Sequence, residues 1–171
     1  MHIRAALPDD APAIARVHVD SWRTTYKDII SQNTLARLSI ERREAYWRGE
    51  IEKENAPERV FVAEDDGDIV GFASCGPERT NNPDYTGELY AIYLYQQNQG
   101  RGTGRALTHA VADCLREQGH TGMLVWVLEH NPSRKFYEVL GGKEVECKPI
   151  EIDGSEYIEV AYGWRNLEAL L

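Results

Sequence analysis

The chain has 171 residues, and 19 Lys and Arg set against 28 Asp and Glu leave a net charge of −9 and a pI near 5.1. That acidity excludes a dedicated nucleic-acid binder, which needs a dense basic face, and 42% hydrophobic residues exclude a disordered chain. No leader-like apolar stretch or membrane-length apolar run occurs, and Cys75, Cys114 and Cys147 form no C-x-x-C pair, so a soluble cytoplasmic protein with small buried cysteines is expected.

The opening HIRA predicts a short strand over 2–5 and a turn at Pro8. A helix follows over about 9–20, with Ile14, Val17 and Ser21 on one face. A second helix is expected over 39–55, where Ile40, Tyr46, Trp47 and Ile51 alternate with charges and leave one solvated face. The segment RVFVAEDDGDIVGFASC holds apolar runs at 60–63 and 69–75 around the turn residues 65–68, which is a hairpin signal. After a Pro- and Asn-rich loop comes the strand ELYAIYL. Ala106, Leu107, Ala110, Val111, Cys114 and Leu115 then recur at helical offsets.

Residues 123–128 form a continuous apolar strand, and 132–140 a brief helix with Phe136, Tyr137 and Leu140 inward, stopped by Gly141 and Gly142. Two strands, 143–150 and 157–164, join around Asp153 and Gly154. Hairpins mixed with helical crossovers predict a three-layer α/β fold, a mixed central sheet of seven strands with helices on both faces. No Pro-, Gly- or Ser-rich linker divides the chain, so 1–171 reads as a single domain.

The most specific feature is QQNQGRGTGRAL, between the fourth strand and the next helix. Gly100, Gly102 and Gly104 allow a tight turn with backbone N–H groups uncovered at a helix N-terminus, and Arg101 and Arg105 add charge, which suits a phosphate-bearing cofactor. The spacing is G-x-G-x-G, not the G-x-G-x-x-G of dinucleotide folds, and it lacks the Lys and hydroxyl of a P-loop. No G-x-S-x-G elbow marks an acyl-enzyme nucleophile, and His109 with Asp113 lacks a third metal ligand.

Gln97-Asn98-Gln99-Gly100-Arg101-Gly102, directly after a strand, resembles the acetyl-CoA motif of the GCN5-related N-acetyltransferases. VWVLEHNPSRKFYEVLGG, with Asn131, Ser133, Phe136, Tyr137 and Gly141, is similar to that superfamily's next signature, and the early hairpin and SWRTTY extend the resemblance over nearly the whole chain. The resemblance implies an acetyltransferase fold and acetyl-CoA as co-substrate. Ile92 and Leu94 would hold the acetyl and pantetheine portions, the stretch Gln99, Gly100, Arg101, Gly102, Thr103, Gly104 and Arg105 the pyrophosphate, and Asn131 and Ser133 the pantetheine amides.

It further implies direct transfer through a tetrahedral intermediate, with Tyr137 as general acid and Glu88 as base or amine-binding carboxylate. Trp22, Arg23, Tyr26 and Tyr90 would wall the acceptor site. The net charge favours a small cationic amine. A peptide N-terminus as acceptor and a non-catalytic acyl-CoA sensor are the rival readings. The C-terminal hairpin, with Tyr157, Ile158, Val160, Tyr162 and Trp164, suggests a homodimer surface.

Overall fold

The computed structural model describes residues 1–171. Its strands are β1 (His2–Ala5), β2 (Arg59–Asp65), β3 (Asp68–Pro77), β4 (Gly87–Leu94), β5 (Met123–Leu128), β6 (Lys143–Ile152) and β7 (Ser155–Trp164), in one sheet of order β1-β2-β3-β4-β5-β7-β6. Every neighbouring pair is antiparallel except β4 and β5. The helices are α1 (Ala11–Thr25), α2 (Gln32–Ala36), α3 (Ile40–Glu52), α4 (Thr103–Glu117) and α5 (Arg134–Val139). The expected three-layer α/β fold is the one observed.

Local chemistry accounts for the boundaries. The hairpins β2–β3 and β6–β7 close on Asp66-Gly67 and Asp153-Gly154, whose φ values of +52° and +88°, and +52° and +78°, match the sheet's twist in a type I′ turn. Ser31 and Ser39 cap α2 and α3 by accepting from the N–H groups of Thr34 and Arg42, each at 3.2 Å. The five-residue α2 is absent from the sequence reading because one turn of helix shows no periodicity. Helix α1 runs on to Thr25, past the predicted end near residue 20, and β6 and β7 are longer than predicted because they pair up to their Asp-Gly turn.

Helices α4 and α5 cover one face, where Leu107, Val111, Leu115 and Tyr137 pack with Leu89, Met123, Val125 and Trp164. Helices α1 and α3 cover the other face over β2 and β3, with Ile14, Val17 and Trp47 against Val62 and Phe72. Burying large apolar side chains of this kind contributes roughly 1.5–3 kcal/mol each. A third cluster, Tyr26, Ile30 and Leu35 against Leu128, seats α2 beneath the β6–β7 hairpin.

Two sequence expectations need correction. Only Cys75 is buried; Cys114 is half-buried and Cys147 exposed, because β6 is the outermost strand. In the C-terminal hairpin, Val160, Tyr162 and Trp164 are buried in the chain's own core, since alternate residues of a strand face opposite sides of the sheet. Ile158 and the outer edge of β6 remain outward.

Candidate functional site

The site begins with an interruption of the sheet. Opposite β3, Cys75 pairs with Leu89 and Ser74 with Ala91, so Tyr90 is an extra residue and β4 bulges there. On its other side β4 pairs with β5 only over Gly87, Glu88 and Leu89. Beyond that point the strands splay, and the backbone of residues 90–94 finds no partner on β5. The gap is a cleft of about 460 Å³, lined by Tyr90 to Leu94, Val125 to Val127, the glycine turn and α5.

At the mouth of the cleft the turn Gln99 to Arg105 leads into α4. Gly100 and Gly102 have φ of +71° and +86°, conformations that side-chain-bearing residues avoid. The first helical bond of α4 runs from the Ala106 N–H to the Gly102 carbonyl at 3.0 Å, and the N–H groups of residues 100–105 have no acceptor in the protein. Such a nest at a 15-residue helix attracts anions through aligned N–H groups and the helix dipole. Gln99, Gly100, Gly102, Gly104 and Arg105 line the cleft; Arg101 is exposed to one side, and Thr103 is buried within the first turn of α4.

Tyr137 lies on α5, 5% exposed, and its side chain lines the cleft. Its hydroxyl makes no hydrogen bond within the protein, and burial, reinforced by Tyr93, raises its pKa, so the phenol holds its proton. Asn131 is spent on structure at both ends of its amide: Nδ2 donates to the Tyr26 hydroxyl at 3.0 Å, and Oδ1 accepts from the Ser133 N–H at 2.8 Å. This pins α1 to the start of α5 across the cleft. Ser133, Tyr26, Ile92 and Leu94 all line the cleft.

Glu88, expected as a base or amine-binding carboxylate, stands away from the cleft. It is 1% exposed, lines neither cavity described here, and both its oxygens are engaged by Arg79: Oε2 accepts from the backbone N–H at 3.0 Å and from Nε at 3.2 Å, and Oε1 accepts from Nη2 at 2.5 Å. The Arg79 guanidinium in turn stacks 4.0 Å from the Tyr90 ring, whose hydroxyl donates to the Pro77 carbonyl at 2.6 Å. Arg23 also stands apart, donating to the Leu38 carbonyl on the outside of α1.

A second cavity, of about 180 Å³, lies on the α1 side of β4, and Tyr90, Ala91 and Tyr93 line it as well as the cleft. Trp22 belongs to this cavity and not to the cleft, as do His18, Trp47 and Arg43, which the sequence reading passed over. Their only sequence signal is helical spacing: His18 and Trp22 are one turn apart on α1. Trp126 was missed too. It lines the cleft, Lys148 sits 3.9 Å over its ring, and Lys148 pairs at 3.5 Å with Glu159, whose pKa burial raises.

Comparison with known proteins gives this geometry a context. The family model described as the acetyltransferase (GNAT) family matches residues 19–141. The uncharacterized N-acetyltransferase YuaI of Bacillus subtilis is 44% identical over 169 residues, which is 98% of this chain and 95% of that protein. Among solved structures, the PaiA N-acetyltransferase of Thermoplasma acidophilum in complex with coenzyme A superposes with a TM-score of 0.72 at 20% identity, covering 93% of this chain and 96% of that one. The ribosomal-protein-alanine N-acetyltransferase of Brucella melitensis gives 0.73 at 24% identity, covering 96% and 99%. At these identities the structural matches concern the fold, whereas the family model spans most of the sequence and includes the splayed strands, the glycine turn and Tyr137. This chain belongs to the acetyltransferase (GNAT) family.

Proposed function

We propose that the protein is an acetyl-CoA-dependent N-acetyltransferase that acts on a primary amine of a small molecule by direct transfer. The observation that carries this reading is the cleft itself, with unpaired β4 backbone along one wall, a nest of free N–H groups at its mouth and a protonated tyrosine inside. These features fit an elongated ligand that joins an amide-bearing arm to a diphosphate: the edge of β4 would hold the arm as an added strand, and residues 100–105 with Arg105 the diphosphate. The name of the Bacillus relative and the coenzyme A held by the Thermoplasma protein support the same ligand.

Acetyl-CoA supplies the activated acetyl group as a thioester. The protein's part is to bind, orient and manage protons. Tyr137 holds a proton at its hydroxyl oxygen inside the cleft, where a leaving thiolate needs one. No cysteine lines the cleft, so a covalent acetyl-enzyme has no thiol nucleophile there. Glu88 acts as a positioning residue, fixing Arg79 and through it Tyr90 at the bulge.

The cleft wall carries no Asp or Glu and one arginine, Arg105. A cationic acceptor therefore finds no carboxylate in the cleft wall itself, and the reading is kept at a small primary amine. A homodimer would form along the free edge of β6 near the exposed Val145 and Ile158, which sedimentation velocity tests.

The deciding assay incubates the protein with acetyl-CoA and an amine panel and follows CoA release and acetylated products by mass spectrometry. Acetylation of a small amine supports the reading. Binding of acetyl-CoA with no amine consumed points to a sensor, and modification of peptide N-termini alone points to a protein substrate.

A further inference from the structure

The second cavity holds an unusual set of unanswered donors. His18 is 5% exposed, and its Nδ1 accepts from the Trp47 Nε1–H at 3.0 Å. Burial, aided by nearby Arg43, drives its pKa down to about 3, so the ring is neutral and its one proton sits on Nε2. That Nε2–H is buried with no acceptor, and the Nε1–H of Trp22, whose ring centroid lies 5.9 Å away, is buried with no acceptor at hydrogen-bond distance, the Tyr93 hydroxyl being the polar group beside it. Arg43, on α3, lines the same cavity and takes part in no ion pair or side-chain hydrogen bond. Native proteins rarely leave a buried N–H unanswered, and two beside an unpaired guanidinium describe a place made for an anion.

Other groups facing the cavity agree. Arg59 adds positive charge; Arg79 is paired with Glu88 and Glu50 with Lys53, leaving Glu58 as the one unpaired carboxylate. A protonated Nε2 excludes His18 as a metal ligand or base in this state. At about 180 Å³ the cavity has room for roughly six water molecules of about 30 Å³ each, which suits one end of a small molecule and not a folded partner. The Tyr93 ring stacks on His18 at 5.1 Å and also lines the cleft, so it forms a wall common to both cavities.

We infer that this cavity is a carboxylate-binding subsite for the acceptor, making the acceptor an amine that also carries a carboxylate. The carboxylate oxygens accept from His18 Nε2–H and Trp22 Nε1–H, with Arg43 as the counter-charge. The inference rests on the acetyl-transfer reading for calling the ligand an acceptor; the chemistry of the cavity does not depend on it.

The test separates the two. ¹⁵N-labelled protein saturated with acetyl-CoA is titrated with butyrate, a carboxylate without an amine, and with butyramide, which keeps the shape and loses the charge. The Trp22 indole N–H resonance, identified by its loss in Trp22→Phe, moves with butyrate and not with butyramide. In parallel, amino acids are compared with their amides as acceptors. The acid form has a KM lower by roughly tenfold, the worth of about one hydrogen bond to a charged group, and Trp22→Phe removes that preference while acetyl-CoA affinity is kept. Arg43→Gln removes the same preference and serves if Trp22→Phe does not fold. An indole resonance that ignores butyrate, or equal KM for acid and amide, overturns the inference and leaves acetyl transfer standing. A responsive indole with no amine consumed overturns the transfer reading and with it the assignment of the carboxylate to an acceptor.

Discussion

Tyr137 and His18 are both buried and both neutral, yet they are held so by different surroundings. Tyr137 faces a cleft with its hydroxyl free, so Tyr137→Phe removes a proton and little packing. We expect kcat to fall by about 100-fold or more with the acetyl-CoA dissociation constant unchanged, read by steady-state kinetics and calorimetry; an unaltered kcat removes Tyr137 from proton transfer. His18 is neutral because burial opposes its charge, with a folded pKa near 3 against 6.5 for the free side chain. Between those values the unfolded state binds the extra proton. The stability that His18 contributes is therefore complete above pH 6.5 and is lost as pH falls towards 3, by up to about 1.4 kcal/mol per pH unit. Denaturant unfolding at pH 7 and pH 5 should show this slope in the wild type and its loss in His18→Phe. Tyr137 could be singled out from its motif. The neutrality of His18 could not, because it is set first by burial and then by the charge of Arg43, and both come from packing against another helix.

The glycine turn and the β4 bulge are neighbours in sequence that differ in how far they could be read in advance. The turn is local: Gly100 and Gly102 occupy positive φ, and a Cβ on Gly102 would meet nothing within 4 Å. Gly102→Val therefore costs only backbone strain, about 1–3 kcal/mol. Because the strain displaces N–H groups of the nest, acetyl-CoA affinity should drop by roughly tenfold while the folded circular dichroism spectrum is kept. The bulge at Tyr90 depends on register with β3, which no local pattern encodes, and the burial of Glu88 is hidden from the sequence for the same reason. The loop at 78–86 folds back to place Arg79 over it. Arg79→Ala strands a buried carboxylate and should destabilise the fold by about 3–5 kcal/mol, against about 1–3 kcal/mol for Glu88→Gln, which keeps the side chain's shape. Urea unfolding of the two variants compares these costs, and the reverse order would make Glu88 a solvated group.

Across the whole molecule, the parallel pair β4–β5 joins the half of the sheet that carries α1 and α3 to the half that carries the β6–β7 hairpin, and it joins them through only three residue pairs. A ligand that fills the splay ties these halves together. Acetyl-CoA at about 100 times its dissociation constant should stabilise the protein by about 2.7 kcal/mol, raising Tm by roughly 5–11 °C, with new hydrogen-exchange protection over 90–94. A thermal shift without that protection would place the ligand elsewhere.

The sequence by itself determined the strand order along the chain, four of the five α-helices, the two Asp-Gly hairpins, the glycine turn and the family, because each is written in residues close together along the chain. Only the tertiary structure decided that Glu88 is locked to Arg79, that Trp22 belongs to a second cavity, that Cys147 is exposed, and that His18, Trp22 and Arg43 converge. Those outcomes depend on which segments meet across the sheet, and burial and hydrogen-bond partnership are properties of the meeting, not of the residue.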